Sequence, residues 1–225
     1  MLRERLDRVE ERIQSAVKRA GRQRSDVTLI AVTKKFPAEV TCQAYELGLR
    51  YFGENYVQEF EAKLPALAGL TAAEFHLIGH LQSNKAGSAA RLFQAVETVD
   101  SEKLARRLDQ TARDQTGREL EVMIEVKLSE EETKAGAAPE ALPGLVEAIR
   151  ACPNLRLTGL MTMPPWSDDP EQTRPYFRRL AALARTCGLA KLSMGMSHDF
   201  EAAIEEGATH IRVGTALFGP RKKDG

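Results

Sequence analysis

The sequence predicts an α/β fold, a single (β/α)8 TIM barrel that an amino-terminal helix helps to close. Three observations support this prediction. Eight short apolar segments alternate with helical patterns, and this alternation is typical of right-handed βαβ units around a parallel sheet. The length of 225 residues, 43% of them hydrophobic, suits one barrel with a substantial core. We therefore expect one domain over residues 1–225.

The amino-terminal segment has the pattern of an amphipathic helix that ends at Gly21. Its apolar positions recur every three or four residues and are Leu2, Leu6, Val9, Ile13 and Val17. The last predicted strand is followed only by residues 216–225, which are too few for a full covering helix. We therefore expect the amino-terminal helix to cover the gap beside that strand.

Between these two ends, strand and helix patterns alternate. The predicted strands are residues 27–33, 51–53, 74–78, 95–99, 119–126, 156–160, 191–194 and 209–213. The predicted helices between them are residues 45–48, 57–67, 86–93, 101–113, 141–150, 170–185 and 200–206. The polar loop 164–170 is expected at the mouth of the barrel, because it joins a strand to the following helix.

The charge balance argues against several classes of partner. The 32 basic and 32 acidic residues leave no net positive field for nucleic acid or an anionic membrane. No segment approaches the ~18 apolar residues of a membrane span, and the charged amino terminus lacks a signal pattern. Cys42, Cys152 and Cys187 are odd in number and widely spaced, which is typical of structural thiols in a reducing compartment. We expect a cytoplasmic monomer without a metal site.

One lysine stands where a nucleophile would be useful. The apolar strand pattern runs directly into Lys34 and Lys35, and Pro37 then stops the pairing. A partly desolvated lysine has a lowered pKa, so its free amine can form an imine with a carbonyl compound. The alternative is that both lysines are solvated residues at the end of a strand.

Two candidate anion-binding turns follow the last two strands. In a barrel of this type a phosphate site often forms there. Ser197 can cap the next helix while its hydroxyl and nearby N–H groups face an anion. Gly214 lets a phosphate approach the backbone, and Thr215 adds a donor. Each feature alone would also be an ordinary cap or turn, but their joint position favours phosphate.

Arg212 is predicted to point into the barrel, because strand alternation places Ile211 and Val213 on the opposite face. A buried guanidinium must find an acceptor. A salt bridge to Glu125 would supply one, and a pyridine nitrogen of a ligand would supply another. A lysine imine, a phosphate site and a pyridine partner together describe pyridoxal 5'-phosphate (PLP) as the cofactor.

Six motifs in order along the chain closely resemble the pyridoxal phosphate homeostasis protein family, single-domain relatives of the barrel of alanine racemase. These motifs are AVTK at 31–34, FGENYVQE at 52–59, HLIGHLQSNK at 76–85, GLMTM at 159–163, LSMGMSHD at 192–199 and IRVGTALFG at 211–219.

The resemblance implies that Lys34, rather than Lys35, bears the internal aldimine and that Arg212 faces the ring nitrogen. It implies phosphate binding by Ser197, Gly214 and Thr215. Asn55 and Met161 are implied as residues that line the pocket.

Further residues near these motifs are less specific. Lys134 matches a lysine-x-glycine element of the family, which implies a transient acceptor of the cofactor, although alone it resembles a solvated loop lysine. Phe36 occupies the position where some relatives have a second lysine. His76 and His80 are interpreted as core and loop histidines, and no metal site follows from them.

The leading functional hypothesis is a protein that carries and buffers PLP for vitamin B6 and amino-acid homeostasis, without established turnover and without catalytic residues. Possible recipients are apo forms of PLP-dependent enzymes. Arg212 favours this reading because a guanidinium leaves the pyridine nitrogen unprotonated and weakens the ring as an electron sink. The alternatives are a weak PLP-dependent amino-acid racemase and a Schiff-base aldolase that acts on a sugar phosphate.

Overall fold

The computed structural model describes residues 1–129 and 135–220, without the side chains at positions 115 and 116. Within these residues, eight parallel strands pair in chain order to form a closed barrel. The strands are β1 (Thr28–Val32), β2 (Tyr51–Glu54), β3 (Glu74–Leu77), β4 (Ala95–Val99), β5 (Leu120–Glu125), β6 (Leu155–Met161), β7 (Lys191–Met196) and β8 (His210–Val213). The predicted α/β barrel is confirmed.

Helices surround the strands. They are α1 (Leu2–Arg19), α2 (Ala38–Glu46), α3 (Val57–Leu67), α4 (Ala86–Leu92), α5 (Glu102–Thr111), α6 (Leu142–Arg150), α7 (Arg174–Thr186), α8 (Phe200–Glu205) and α9 (Thr215–Phe218). A π-helical turn, Ala112–Thr116, extends α5, and a 3-10 turn, Pro170–Thr173, precedes α7. In the part of the chain described, no helix combines the length and apolar character needed to cross a bilayer.

The largest error of the sequence prediction concerns α2. This helix begins at Ala38, directly after Pro37, whereas the predicted helix covered only its last residues and the turn after it. Its buried residues are Ala38, Thr41 and Ala44, which are small or polar. A helix that buries such residues has a weak apolar stripe, so periodicity underestimates its length.

The apolar core lies between the strands and the helices. Phe60 of α3 is its centre on one side, because its ring lies 4.6 Å from that of Phe75 on β3 and 4.6 Å from that of Phe93. Phe52 of β2 stacks on Phe75 at 5.5 Å. These contacts fix α3 and α4 against neighbouring strands, and thereby fix the strand ends above them.

Helix α1 covers the junction of the last and first strands, as the sequence predicts. It packs against α8 and α9, the latter only one turn long. Ile13 is fully buried in this contact face. At its edge, Arg12 pairs with Glu201 at 2.8 Å, and Arg19 pairs with Glu205 at 2.6 Å.

Strands β1 and β8 close the barrel by parallel pairing in which Ile30 is opposite Arg212 and Ala31 is opposite Val213. The carboxyl ends of the first and last strands are therefore neighbours. Strand β1 ends at Val32, so Lys34 lies in the turn after the strand. A hydrogen bond from the Phe36 N–H to the Thr33 carbonyl, 3.1 Å long, closes this turn.

We expect Ile13→Ala to lower the free energy of unfolding by ~2–5 kcal/mol, because it leaves a cavity under α1 at the closing strands. Gln14→Ala is the matched control, since Gln14 is exposed on the same helix. Chemical denaturation of both variants measures the effect. Equal stability of the two variants would contradict the role assigned to α1.

Candidate cofactor-binding site

A cavity opens at the carboxyl ends of the strands, and six of the seven residues predicted for the site line it. They are Lys34, Asn55, Ser197, Arg212, Gly214 and Thr215. The turns after β1, β2, β7 and β8 supply them, together with the end of β8. The fold therefore brings together residues that are up to 181 positions apart in the chain, from Lys34 to Thr215.

The backbone on both sides of Lys34 is held by helix α3. The Lys63 ammonium donates a hydrogen bond to the Thr33 carbonyl at 3.0 Å. The Glu59 carboxylate accepts one from the Lys35 N–H at 2.5 Å. Lys34 itself is half-buried and lines the cavity, while Lys35 is exposed and has a left-handed backbone with φ of 62°.

A buried ion pair supports this turn from below. The Glu54 Oε1 atom accepts hydrogen bonds from the Lys63 ammonium at 2.9 Å and from the Thr33 hydroxyl at 2.8 Å. Burial raises the pKa of Glu54, and the charge of Lys63 opposes this shift. Lys63 also contacts Glu59 at 2.7 Å. One lysine of α3 thus joins the two glutamates that fix the turn.

Backbone donors converge at the ends of β7 and β8. The Ser197 hydroxyl oxygen accepts hydrogen bonds from the N–H groups of Gly214 and Ala216, both at 3.2 Å. Thr215 is exposed beside them. This arrangement combines a hydroxyl and main-chain N–H groups at one point, which is the type of donor set that binds phosphate.

Ser197 does not cap the next helix, contrary to the sequence prediction. Asp199 is the N-cap residue of α8, and its carboxylate accepts a hydrogen bond from the Met196 N–H at 2.7 Å. The turn depends on Gly195, which has φ of 90° and whose Cβ, if present, would lie 2.5 Å from that of Ala203. Ser197 thus lies in the turn between β7 and α8, where its hydroxyl contacts the backbone after β8.

Arg212 points into the barrel, as strand alternation predicts, and only 3% of it is exposed. Its Nη1 donates to the Ser193 hydroxyl at 2.7 Å, and its Nη2 donates to the Thr162 carbonyl at 2.8 Å. Burial lowers the pKa of Arg212, whereas the charges of Glu97, Asp199 and Glu125 raise it. Glu125 thus acts on the guanidinium as a nearby charge.

Glu97, which contacts the cavity residue Arg212 through Ser193, was not predicted from the sequence. It is fully buried in β4, where it accepts one hydrogen bond from the Ser193 hydroxyl and contacts His76. A charged residue inside the otherwise uncharged strand 95–99 was the available signal. Such a residue must be paired when the strand is buried, so its position predicts an interior partner.

Asn55 and Met161 differ in their relation to the cavity. Asn55 lines it, and its buried Oδ1 has no hydrogen-bond partner among the described residues. The turn containing Gly79 packs so closely on Asn55 that a Cβ at Gly79 would lie 2.4 Å from the Asn55 carbonyl oxygen. Met161 is fully buried, and Met163 lines the cavity instead, because it lies on the same side but nearer the barrel mouth.

Trp166 and His198 also line the cavity and were not predicted as site residues. Their ring centroids are 4.7 Å apart, and Trp166 is 71% exposed. The His198 Nε2 atom lies 3.0 Å from the Asp168 carbonyl oxygen. The loop that carries Trp166 thus lies at the barrel mouth, as expected. Lys134, a further candidate from the sequence, lies outside the described residues.

Comparison with known proteins gives a consistent result. Residues 5–222 match the family model described as alanine racemase, N-terminal domain. The pyridoxal phosphate homeostasis protein of Aquifex aeolicus is 45% identical over 225 residues, which cover 97% of this chain and 98% of that protein. The protein of the same name from Pseudomonas aeruginosa is 46% identical, and the alignment covers 97% of this chain and 95% of that protein.

Solved structures agree with the sequence relatives. PipY of Synechococcus elongatus without PLP has a TM-score of 0.86 and 38% identity, with coverage of 97% of this chain and all of that one. PipY with PLP bound has a TM-score of 0.82 and 37% identity at the same coverage. Alanine racemase of Clostridium difficile shares the fold, with a TM-score of 0.76, 16% identity and coverage of 99% of this chain and 57% of that one.

The family assignment rests on near-complete coverage of both chains at 45% and 46% identity, together with the match to the family model. The chain belongs to the pyridoxal phosphate homeostasis protein family, whose barrel is that of the alanine racemase N-terminal domain.

Proposed function

We propose that this protein carries and buffers PLP, bound through an imine to Lys34, in vitamin B6 and amino-acid homeostasis. In this proposal Ser197, Gly214 and Thr215 bind the phosphate, and Arg212 faces the ring nitrogen. A relative supports the proposal, because a structure of PipY with PLP bound is known.

The observation that carries the proposal is the meeting of three chemically different groups in one cavity. The cavity is lined by an amine at Lys34, a phosphate-type donor set at Ser197 and Gly214, and a guanidinium at Arg212. A phosphorylated pyridine aldehyde has one counterpart for each of these groups. A sugar phosphate would use the amine and the donor set but would leave Arg212 without a matching ring nitrogen.

The remaining polar groups of the cavity also fit PLP. The buried Asn55 Oδ1 lacks a partner among the described residues, and the side-chain amide of Asn55 can present either its oxygen or its NH₂ group to a ligand. Arg212 has more N–H donors than its two acceptors among the described residues use. Both residues therefore have hydrogen-bonding capacity left for the polar edge of the ring.

Arg212 also supports a carrier rather than an enzyme. When bound, PLP supplies an electrophilic aldehyde and a ring that accepts electrons, most strongly when its nitrogen is protonated. A guanidinium does not give up its proton at any working pH, so it holds the ring nitrogen unprotonated. Weak racemisation is the alternative activity, and chiral analysis of alanine incubated with the loaded protein tests it.

We further propose that the carrier works in the cytosol as a monomer and delivers PLP to apo forms of PLP-dependent enzymes. The thiols of Cys42, Cys152 and Cys187 are all free in the described residues, which suits a reducing compartment. Incubation of the loaded protein with an apo-enzyme, with a scavenger of free PLP present, tests direct delivery. Light scattering of the loaded protein tests the monomer.

We expect Lys34→Ala to abolish the visible imine absorbance of the PLP-loaded protein while the fold is retained. Lys34 lies in a turn at the barrel mouth, outside the packed layers. Absorbance after addition of PLP and circular dichroism measure the two effects. Lys35→Ala is the matched control, because Lys35 is exposed in the same turn. Loss of the absorbance in the control alone would overturn the assignment to Lys34.

We expect Ser197→Ala to weaken PLP binding while pyridoxal, which lacks the phosphate, keeps its affinity. Charge-assisted hydrogen bonds contribute roughly 1.5–3 kcal/mol each, so the dissociation constant for PLP should rise by about tenfold or more. Trp166, the one tryptophan of the chain, lines the cavity and reports binding by fluorescence quenching. An equal loss of affinity for both ligands would mean that Ser197 is not a phosphate ligand.

A further inference from the structure

A buried chain of hydrogen bonds leads from the far side of the barrel to Arg212. His76 Nδ1 lies 2.7 Å from Glu97 Oε1, and the Ser193 hydroxyl donates to Glu97 Oε2 at 2.5 Å. The same hydroxyl oxygen accepts from Arg212 Nη1 at 2.7 Å. The chain crosses the barrel interior from β3 through β4 and β7 to β8.

The direction of these hydrogen bonds follows from the chemistry of Glu97. An ionised carboxylate can only accept, so His76 donates through Nδ1–H and Ser193 donates its only hydroxyl proton. A lone pair of the Ser193 oxygen is thereby fixed toward Arg212. The serine thus transmits the orientation of Glu97 to the guanidinium.

The surroundings of Glu97 favour its ionised form. Burial alone would raise the pKa of Glu97, but the hydrogen bond from His76 and the nearby positive charges, including Arg212, lower it to about 2. Burial lowers the pKa of His210 to about 4, so this neighbouring histidine is neutral at pH 7. Glu97 is therefore negative at neutral pH and is available as a counter-charge to Arg212.

We propose that Glu97 is a positioning residue for the cofactor, which acts through Ser193 to hold the Arg212 guanidinium against the ring nitrogen of PLP. The inference rests on the proposed function, because it assumes that Arg212 faces the ring. It adds a residue that lines no part of the cavity and that acts only through another side chain.

The physical need for this residue comes from the burial of Arg212. Taking a guanidinium out of water is costly unless a negative charge and good acceptors are present. The Thr162 carbonyl accepts one N–H at 2.8 Å but carries no net charge. With Glu97 neutral, Arg212 keeps its acceptors but loses a nearby counter-charge, and the guanidinium then shifts toward solvent or toward another carboxylate.

The test compares PLP with an analogue in which carbon replaces the ring nitrogen. Both ligands keep the aldehyde and the phosphate, so their difference in affinity isolates the contact at the nitrogen. Glu97→Gln removes the charge, and Ser193→Ala removes the connection while both charges stay. Glu121→Gln is the matched control, because the described partners of the Glu121 carboxylate, Lys191 at 2.6 Å among them, lie outside the chain to Arg212. Thermal melting establishes that each variant is folded.

Calorimetric titration of the unmodified protein should show a preference for PLP of about tenfold or more, the factor expected for one hydrogen bond from a charged donor. The inference predicts that Glu97→Gln and Ser193→Ala lose most of this preference, while Glu121→Gln keeps it. A general structural effect would weaken both ligands equally in the variants and would overturn the inference. Retention of the preference in Glu97→Gln and Ser193→Ala would also overturn it.

Failure of the proposed function is distinguishable from failure of this inference. If the unmodified protein binds neither ligand, PLP carriage itself is wrong. If it binds both ligands equally, Arg212 does not act on the ring nitrogen, and the inference about Glu97 is overturned while imine formation stands.

Discussion

The pairing of β1 with β8 is the constraint on which the whole site depends. Lys34 follows the first strand and Arg212 lies in the last, so both residues line one cavity only because the barrel closes with Ile30 opposite Arg212. A shift of this register by one residue would turn Arg212 toward the helices. Helix α1 covers this junction from outside. The geometry of the cavity therefore depends on the stability of the pairing between β1 and β8.

Two buried charge systems hold the ends of these strands. The Glu54–Lys63 pair fixes the backbone around Lys34, and the Glu97–Ser193 pair of contacts reaches Arg212 from inside the barrel. Buried charges stabilise a fold weakly, because desolvation offsets their attraction. Their main effect here is to hold particular groups in fixed positions. The first system fixes the backbone on both sides of Lys34, and the second fixes the Arg212 guanidinium beside the cavity. A flexible surface side chain would lose more conformational entropy on binding a ligand.

The sequence predicted the barrel fold and the positions of those residues that follow from strand order and strand alternation. Strand alternation placed Arg212 inside, and the turns after the last two strands placed Gly214 at the cavity. Contacts between distant side chains could not be read in this way. The Glu97 contact with Ser193 joins residues 96 positions apart, and Met163 replaces Met161 at the cavity because β6 ends below its mouth. The predicted helix at α2 was too short, because the residues that this helix buries are small or polar and give a weak apolar pattern.

The central claim is that one particular lysine holds the cofactor. Borohydride reduction of the PLP-loaded protein converts an imine to a stable amine, and peptide mapping by mass spectrometry then identifies the modified residue. The account predicts one pyridoxyl group on Lys34, in stoichiometric amount, with Lys35 unmodified. A pyridoxyl group found mainly on Lys35 or on Lys134 would contradict it.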